Sequence, residues 1–119
     1  MVPQTDEIWR LSDIKPLPEP VSDNIECFIG DLTDFDFAMR LCEDVDAIIH
    51  LAGQPKEGSW DWLMKPNVIC SANLWEAASR QGVRQIIYGS SNHVYGMYPT
   101  SHTLRGDEPL RPDSRYGVT

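Results

Sequence analysis

Residues 47–52 read AIIHLA and residues 85–88 read QIIY. Neither stretch alternates apolar with polar; each is a nearly continuous apolar run of strand length. Such runs fit strands covered on both faces, as in a parallel sheet. Working outward, residues 8–14 (IWRLSDI) and 25–29 (IECFI) also have strand character. Helical patterns lie between the later strands. Thr33 is expected as a hydroxyl N-cap, with Asp36 three residues on, close to a capping box. Phe37 and Leu41 would then face the core, with Ala38 beside them. A longer helical stretch covers residues 59–80. In it Trp60, Leu63 and Met64 form one apolar cluster, which Val68, Ala72, Trp75 and Ala78 continue at helical spacing. Pro66 is expected in the first turn of a second helix, where it loses no hydrogen bond. Gly82 stands where a left-handed C-cap is needed. The order β–loop–β–α–β–α–β–tail implies an α/β fold, a right-handed, doubly wound parallel sheet.

Composition narrows the function. The chain has 119 residues, enough for one domain, and 41% are hydrophobic. Lys and Arg number 10 against 18 Asp and Glu, a net charge of −8. That balance opposes nucleic-acid or anionic-membrane binding, both of which need clustered positive charge. No window approaches 18 consecutive apolar residues, so no transmembrane helix is expected. The opening MVPQTDEIWR lacks the basic and apolar regions of a secretory signal. Cys27, Cys42 and Cys70 show no metal-ligand or redox spacing and read as small buried thiols of a reducing, cytoplasmic compartment. Residues 15–23 (KPLPEPVSD) are a proline-rich loop, and residues 95–119 are a second loop-rich stretch.

In a doubly wound sheet, ligands sit beyond the carboxyl ends of the strands. Asp13 ends the first strand. A carboxylate there can accept both hydroxyls of an adenosine ribose and repels a 2′-phosphate, although it also reads as a solvated turn former. Asp31 and Leu32 follow the second strand, the acid fitting equally well as a helix-start residue. Leu51, Ala52 and Gly53 follow the third, where small residues let a flat or anionic ligand approach the backbone. His50 just before them reads as a packed core histidine. The fourth strand end carries GSSNHVYG over residues 89–96, and YGVT occupies residues 116–119.

The SSxxxYG-type text after a buried strand, followed by YGxT, resembles the extended short-chain dehydrogenase/reductase family, the NAD-dependent epimerases and dehydratases. With DIKPLP at 13–18 and HLAGQP at 50–55, the chain looks most like uronate dehydrogenases. The resemblance implies a Rossmann-like fold and NAD as cofactor. It gives Ser91 and Tyr116 the catalytic roles. Asp13 would hold the adenosine ribose, Asp31 and Leu32 the adenine, and Leu51, Ala52 and Gly53 the pyrophosphate and nicotinamide ribose. Asn67 matches the asparagine kept on the helix under the site, and Ser91, Asn92 and His93 would meet a sugar or sugar-acid substrate. No metal is implied.

Three departures from the family pattern stand out. No GxxGxxG turn occurs, the lysine of YxxxK would fall at position 120, and Pro55 replaces a serine that uronate dehydrogenases carry. The expectation is one partial NAD-binding domain over residues 1–119, with the first strand and the C-terminal substrate part missing. The fragment alone would be inactive, and a homo-oligomer is left open for the full-length enzyme. In the intact enzyme Tyr116, as phenolate, would take a hydroxyl proton while hydride passes to NAD, and Ser91 would fix the substrate oxygen. The alternatives are a nucleotide-sugar epimerase or dehydratase and a non-catalytic dinucleotide-binding fragment.

Overall fold

The computed structural model describes residues 7–16 and 22–119. The proline-rich loop expected at 15–23 therefore lies partly outside the described residues, as does most of the N-terminal stretch. In chain order the elements are β1 (Trp9–Asp13), β2 (Ile25–Ile29), α1 (Phe35–Leu41), β3 (Ala47–His50), α2 (Trp60–Leu63), a π-helical segment (Met64–Ile69), α3 (Cys70–Gln81), β4 (Gln85–Tyr88), a 3-10 turn (Asn92–Tyr95) and α4 (Arg115–Val118).

All pairing is parallel, as the apolar runs imply. Trp9 to Asp13 of β1 lie opposite Ile25 to Ile29 of β2. Ala47 to His50 of β3 lie opposite Gln85 to Tyr88 of β4. The strands do not form one sheet, however. They form two separate two-stranded sheets, and no strand among the described residues joins β1 to β3. The expected cover on both faces is also absent from β3 and β4. Ile48 and Ile86 pack on the helical core, whereas Ile49 and Ile87, which alternate with them, are more than half exposed.

The core lies between α1 and α3. Ala38, Cys42, Leu74, Ala77 and Ala78 form it, with Leu32, Phe35, Met39, Val83 and the two isoleucines around them. Alanines at the contact allow close helix approach, and polar pegs fix the register. Asn73 Nδ2 donates to the carbonyls of Leu32 (2.9 Å) and Thr33 (3.1 Å), and Gln81 Nε2 donates to that of Met39 (3.1 Å). The Arg10 guanidinium on β1 donates to the carbonyls of Leu41 and Glu43, closing the open end of α1. His50 is a packed core histidine, as expected; its Nε2 lies 3.0 Å from Ser71 Oγ, and burial pushes its pKa down.

Several local readings need correction. Asp34, not Thr33, caps α1; its carboxylate accepts the N–H groups of Asp36 and Phe37. A carboxylate so placed is worth about 1 kcal/mol. Asp31 meanwhile accepts the Thr33 N–H in the turn before it. Pro66 does not open a new helix. It sits inside the π-helical segment that joins α2 to α3, where the widened turn accommodates a residue with no N–H to give. The buried face of this run is Leu63, Asn67, Cys70, Ser71, Leu74, Ala77 and Ala78, while Trp60, Met64, Val68 and Trp75 stay largely exposed. Of the three free thiols, Cys42 and Cys70 are buried as expected and Cys27 is exposed. Gly82 does cap α3 in the left-handed region, at φ 75°.

Candidate active site at the carboxyl ends of the strands

The start of the long helical run gathers the strand ends to one side. Cys70 Sγ lies 4.0 Å from the Asp31 carboxylate after β2. Asn73 holds Leu32, and Asn67 holds Gln54 after β3. Because β1 runs parallel to β2 and β4 to β3, Asp13 and Ser91 share that edge.

At one end of the edge stand the acids. Asp13 is exposed and accepts the Lys15 N–H at 2.9 Å. The Thr33 N–H, 2.8 Å from Asp31 Oδ1, holds the Asp31 carboxyl below its usual pKa, with smaller help from the Thr33 hydroxyl and Lys65. Leu32 beside it is half-buried against the core.

At the other end His93 touches both Ser91, through its N–H, and Tyr116, through its ring. Ser91 caps the 3-10 turn, its Oγ accepting the His93 N–H at 3.2 Å. A hydroxyl that accepts in this way keeps its own proton for donation. Tyr116 lies on α4, whose N-cap is Ser114; Ser114 Oγ accepts the Gly117 N–H at 3.0 Å. The Tyr116 and His93 rings meet edge to face, centroids 5.2 Å apart. Gly117 permits this approach. A Cβ there would sit 2.5 Å from the His93 carbonyl oxygen, so the backbones of α4 and the turn are in direct contact.

Ser91 also opens into a cleft of about 480 Å³, lined by Ser90, Ser91, Asn92, Val94, Tyr95, Leu104 and Leu110. Tyr116 lies beside this cleft rather than in its wall. The outer wall is built by residues 97–111. Arg111 N–H donates to the Val94 carbonyl, Met97 N–H to that of Arg111, and Tyr98 Oη to that of Pro109. The Glu108 carboxylate accepts the N–H groups of Arg105 and Gly106 and lies 3.2 Å from His102 Nε2. The Arg105 N–H is the largest contributor in bringing the Glu108 pKa from 4.5 to about 2.

The loop after β3 joins the two ends. Leu51, Ala52 and Gly53 are exposed. Asn67, buried in the π-helical segment, accepts the Gln54 N–H at 2.6 Å and donates to the Gln54 carbonyl (3.2 Å) and Thr119 Oγ1 (2.9 Å). Its amide is thus occupied in holding this loop and α4. A Cβ on Gly53 would lie 3.1 Å from Asn67 Oδ1, so glycine allows the loop to seat. Sequence reading missed Glu57, Arg115, Gly117 and Thr119, which also hold α4. Only Gly117, next to Tyr116, carried a local hint.

The edge thus carries an exposed carboxylate at one end, and an exposed loop leading to a hydroxyl and a phenol at the other. No group of His, Cys, Asp and Glu among the described residues could hold a metal, and no helix there is long and apolar enough to cross a membrane.

Residues 5–119 match the model of the NAD dependent epimerase/dehydratase family, and the chain belongs to that family. It is 41% identical over 112 residues to a uronate dehydrogenase of Pseudomonas syringae pv. tomato, covering 94% of this chain and 41% of that one. It therefore spans less than half the length of this curated relative. The crystal structure of uronate dehydrogenase from Agrobacterium tumefaciens superimposes with a TM-score of 0.86 at 40% identity, over 94% of this chain and 42% of that one. A variant of that enzyme complexed with NAD superimposes with a TM-score of 0.87 at 39% identity and the same coverage. These likenesses bear out the Rossmann-type α/β architecture and the family resemblance.

Proposed function

We propose that this chain is the nucleotide-binding and catalytic part of an NAD-dependent oxidoreductase that oxidises a hydroxyl of a sugar acid, with uronic acids as the substrate class. The observation that carries the reading is the junction at His93. It unites the serine that leaves β4 with the tyrosine of α4, 25 residues further on, at the carboxyl edge where the fold takes ligands. Likeness to uronate dehydrogenases over nearly the whole chain supports the choice of substrate class.

NAD, when bound, supplies the hydride acceptor. Asp13 accepts the adenosine ribose hydroxyls, and its charge disfavours a 2′-phosphate, which selects NAD over NADP. Asp31 and Leu32 flank the adenine. Leu51, Ala52 and Gly53 line the path toward the nicotinamide ribose, and Asn67 keeps that loop in place. Ser91 donates its O–H to the substrate oxygen, and Asn92 and His93 contact the sugar. Tyr116 as phenolate takes the hydroxyl proton. A free tyrosine titrates near 10, so this role needs positive charge nearby to favour the ionised form.

In the full-length protein, Tyr116→Phe keeps the ring and removes only the base. Its kcat on glucuronate or galacturonate should fall by roughly 100-fold or more, while NAD affinity, read by titration, stays nearly unchanged. Near-normal turnover in this variant would overturn the mechanism.

A further inference from the structure

Tyr116 is the second residue of α4, and ties from other elements hold it there. Besides the Gly117 and His93 contacts with the 3-10 turn, those ties come from the loop after β3 and from Trp60 and Asn67 just beyond it. Glu57 Oε2 accepts the Tyr116 N–H at 2.9 Å, across 59 residues of chain. Arg115 Nη1 donates to the Gly58 carbonyl at 3.3 Å, and its guanidinium sits 6.0 Å from the centre of the Trp60 ring. Asn67 grips Gln54 by both backbone groups and reaches Thr119 with the same amide.

A first-turn N–H has no acceptor within its own helix. A carboxylate that meets it makes a charge-assisted bond, about twice as strong as a neutral one. The tie from Glu57 falls on the Tyr116 backbone, while the His93 ring meets the Tyr116 ring. We propose that Glu57 is a positioning residue: its carboxylate fixes the backbone of Tyr116, and so the phenol, relative to the loop that begins Leu51-Ala52-Gly53. The phenol and the loop then keep one geometry, and displacing the loop displaces the base. This rests on the reading of Tyr116 as the base.

The test uses the full-length protein with Glu57→Ala, Glu57→Gln and, as control, Tyr116→Phe. Two quantities are read: kcat and NAD affinity with glucuronate as substrate, and amide hydrogen exchange at Tyr116 and within α3. Glu57→Ala should lower kcat by roughly 10-fold or more, as expected when a reacting group is misplaced, with NAD affinity changed by less than about 2-fold. The Tyr116 amide should exchange roughly 10-fold faster, reflecting one lost hydrogen bond to a charged group, while the α3 amides stay protected. Glu57→Gln retains an acceptor oxygen and should restore most of both properties. Unchanged exchange at Tyr116 in Glu57→Ala overturns the proposal. So does faster exchange with unaltered kcat, and so does a loss of protection that spreads through α3, which marks a general structural role. Should Tyr116→Phe turn over normally, the functional reading fails on its own, and the exchange data still decide whether Glu57 fixes the Tyr116 backbone.

Discussion

At Gly117 a missing side chain sets the distance between two backbones. A methyl group there would meet the His93 carbonyl oxygen at 2.5 Å and the Pro112 ring at 3.2 Å. Neither neighbour is the free end of a flexible side chain, so α4 itself must shift. Gly117→Ala should therefore destabilise the full-length protein by about 1–3 kcal/mol, the usual range for overpacking. It should also lower kcat more than it changes NAD affinity, because Tyr116 moves with the helix. Urea denaturation and steady-state kinetics check both, and a variant with wild-type stability and turnover would show that α4 does not depend on this contact. Residues of this kind mark the limit of what could be read from the sequence. Ser91 and Tyr116 were singled out by resemblance to a family motif, and the strand end that Ser91 follows was legible in the local apolar run. Glu57 was not, because nothing in KEGSW announces a partner 59 residues away.

Secondary structure was legible where propensity and burial agree. All four strands fell within a residue or two of their expected limits, and Gly82 ended α3 as its conformational freedom suggests. The long helical run was misread because apolar spacing offered two faces. Tryptophans made one of them conspicuous, yet the buried face is the one with small residues: Ala77 and Ala78 fit against α1, and Cys70 and Ser71 meet Asp31 and His50. The stretch 97–111 was expected only as loop; backbone bonds tie it to Val94, and one acid, Glu108, holds the turn at 105–106. Glu108 accepts two backbone N–H groups more strongly when ionised, which brings its pKa from 4.5 down to about 2. Its folded-state pKa is depressed, so its contribution to loop order is present above about 4.5 and is lost as pH falls through about 2. The amide resonances of Arg105 and Gly106 should titrate with that low midpoint, and Glu108→Gln should abolish the transition. A midpoint near 4.5 would show that the carboxylate does not hold the turn.

For the molecule as a whole, the alternation of strands and helices foretold parallel pairing and a common edge for the site, but not the division into two sheets. Pairing between β1 and β3 depends on what lies between them, which neither strand's own pattern encodes. Each has one edge that no other strand uses among the described residues. The strand faces turned away from the helices hold Ile29, Ile49 and Ile87 at 53–59% exposure. A two-stranded sheet is marginal on its own, and unpaired edges beside exposed apolar side chains invite association. The core between α1 and α3 consists mainly of alanine, cysteine and leucine, and the largest fully buried side chains among the described residues are only Cys42 there and Leu63 in α2. Residues 1–119 expressed alone should therefore bind a hydrophobic dye, associate as concentration rises and melt without a sharp transition. The same residues within the full-length protein should melt cooperatively. Light scattering, dye fluorescence and calorimetry on the two forms make the comparison. A monomeric, dye-silent 119-residue chain with a sharp transition at an ordinary mesophile temperature would mean that α1, α3 and two separate strand pairs make a sufficient core, and that the exposed isoleucines need no further cover.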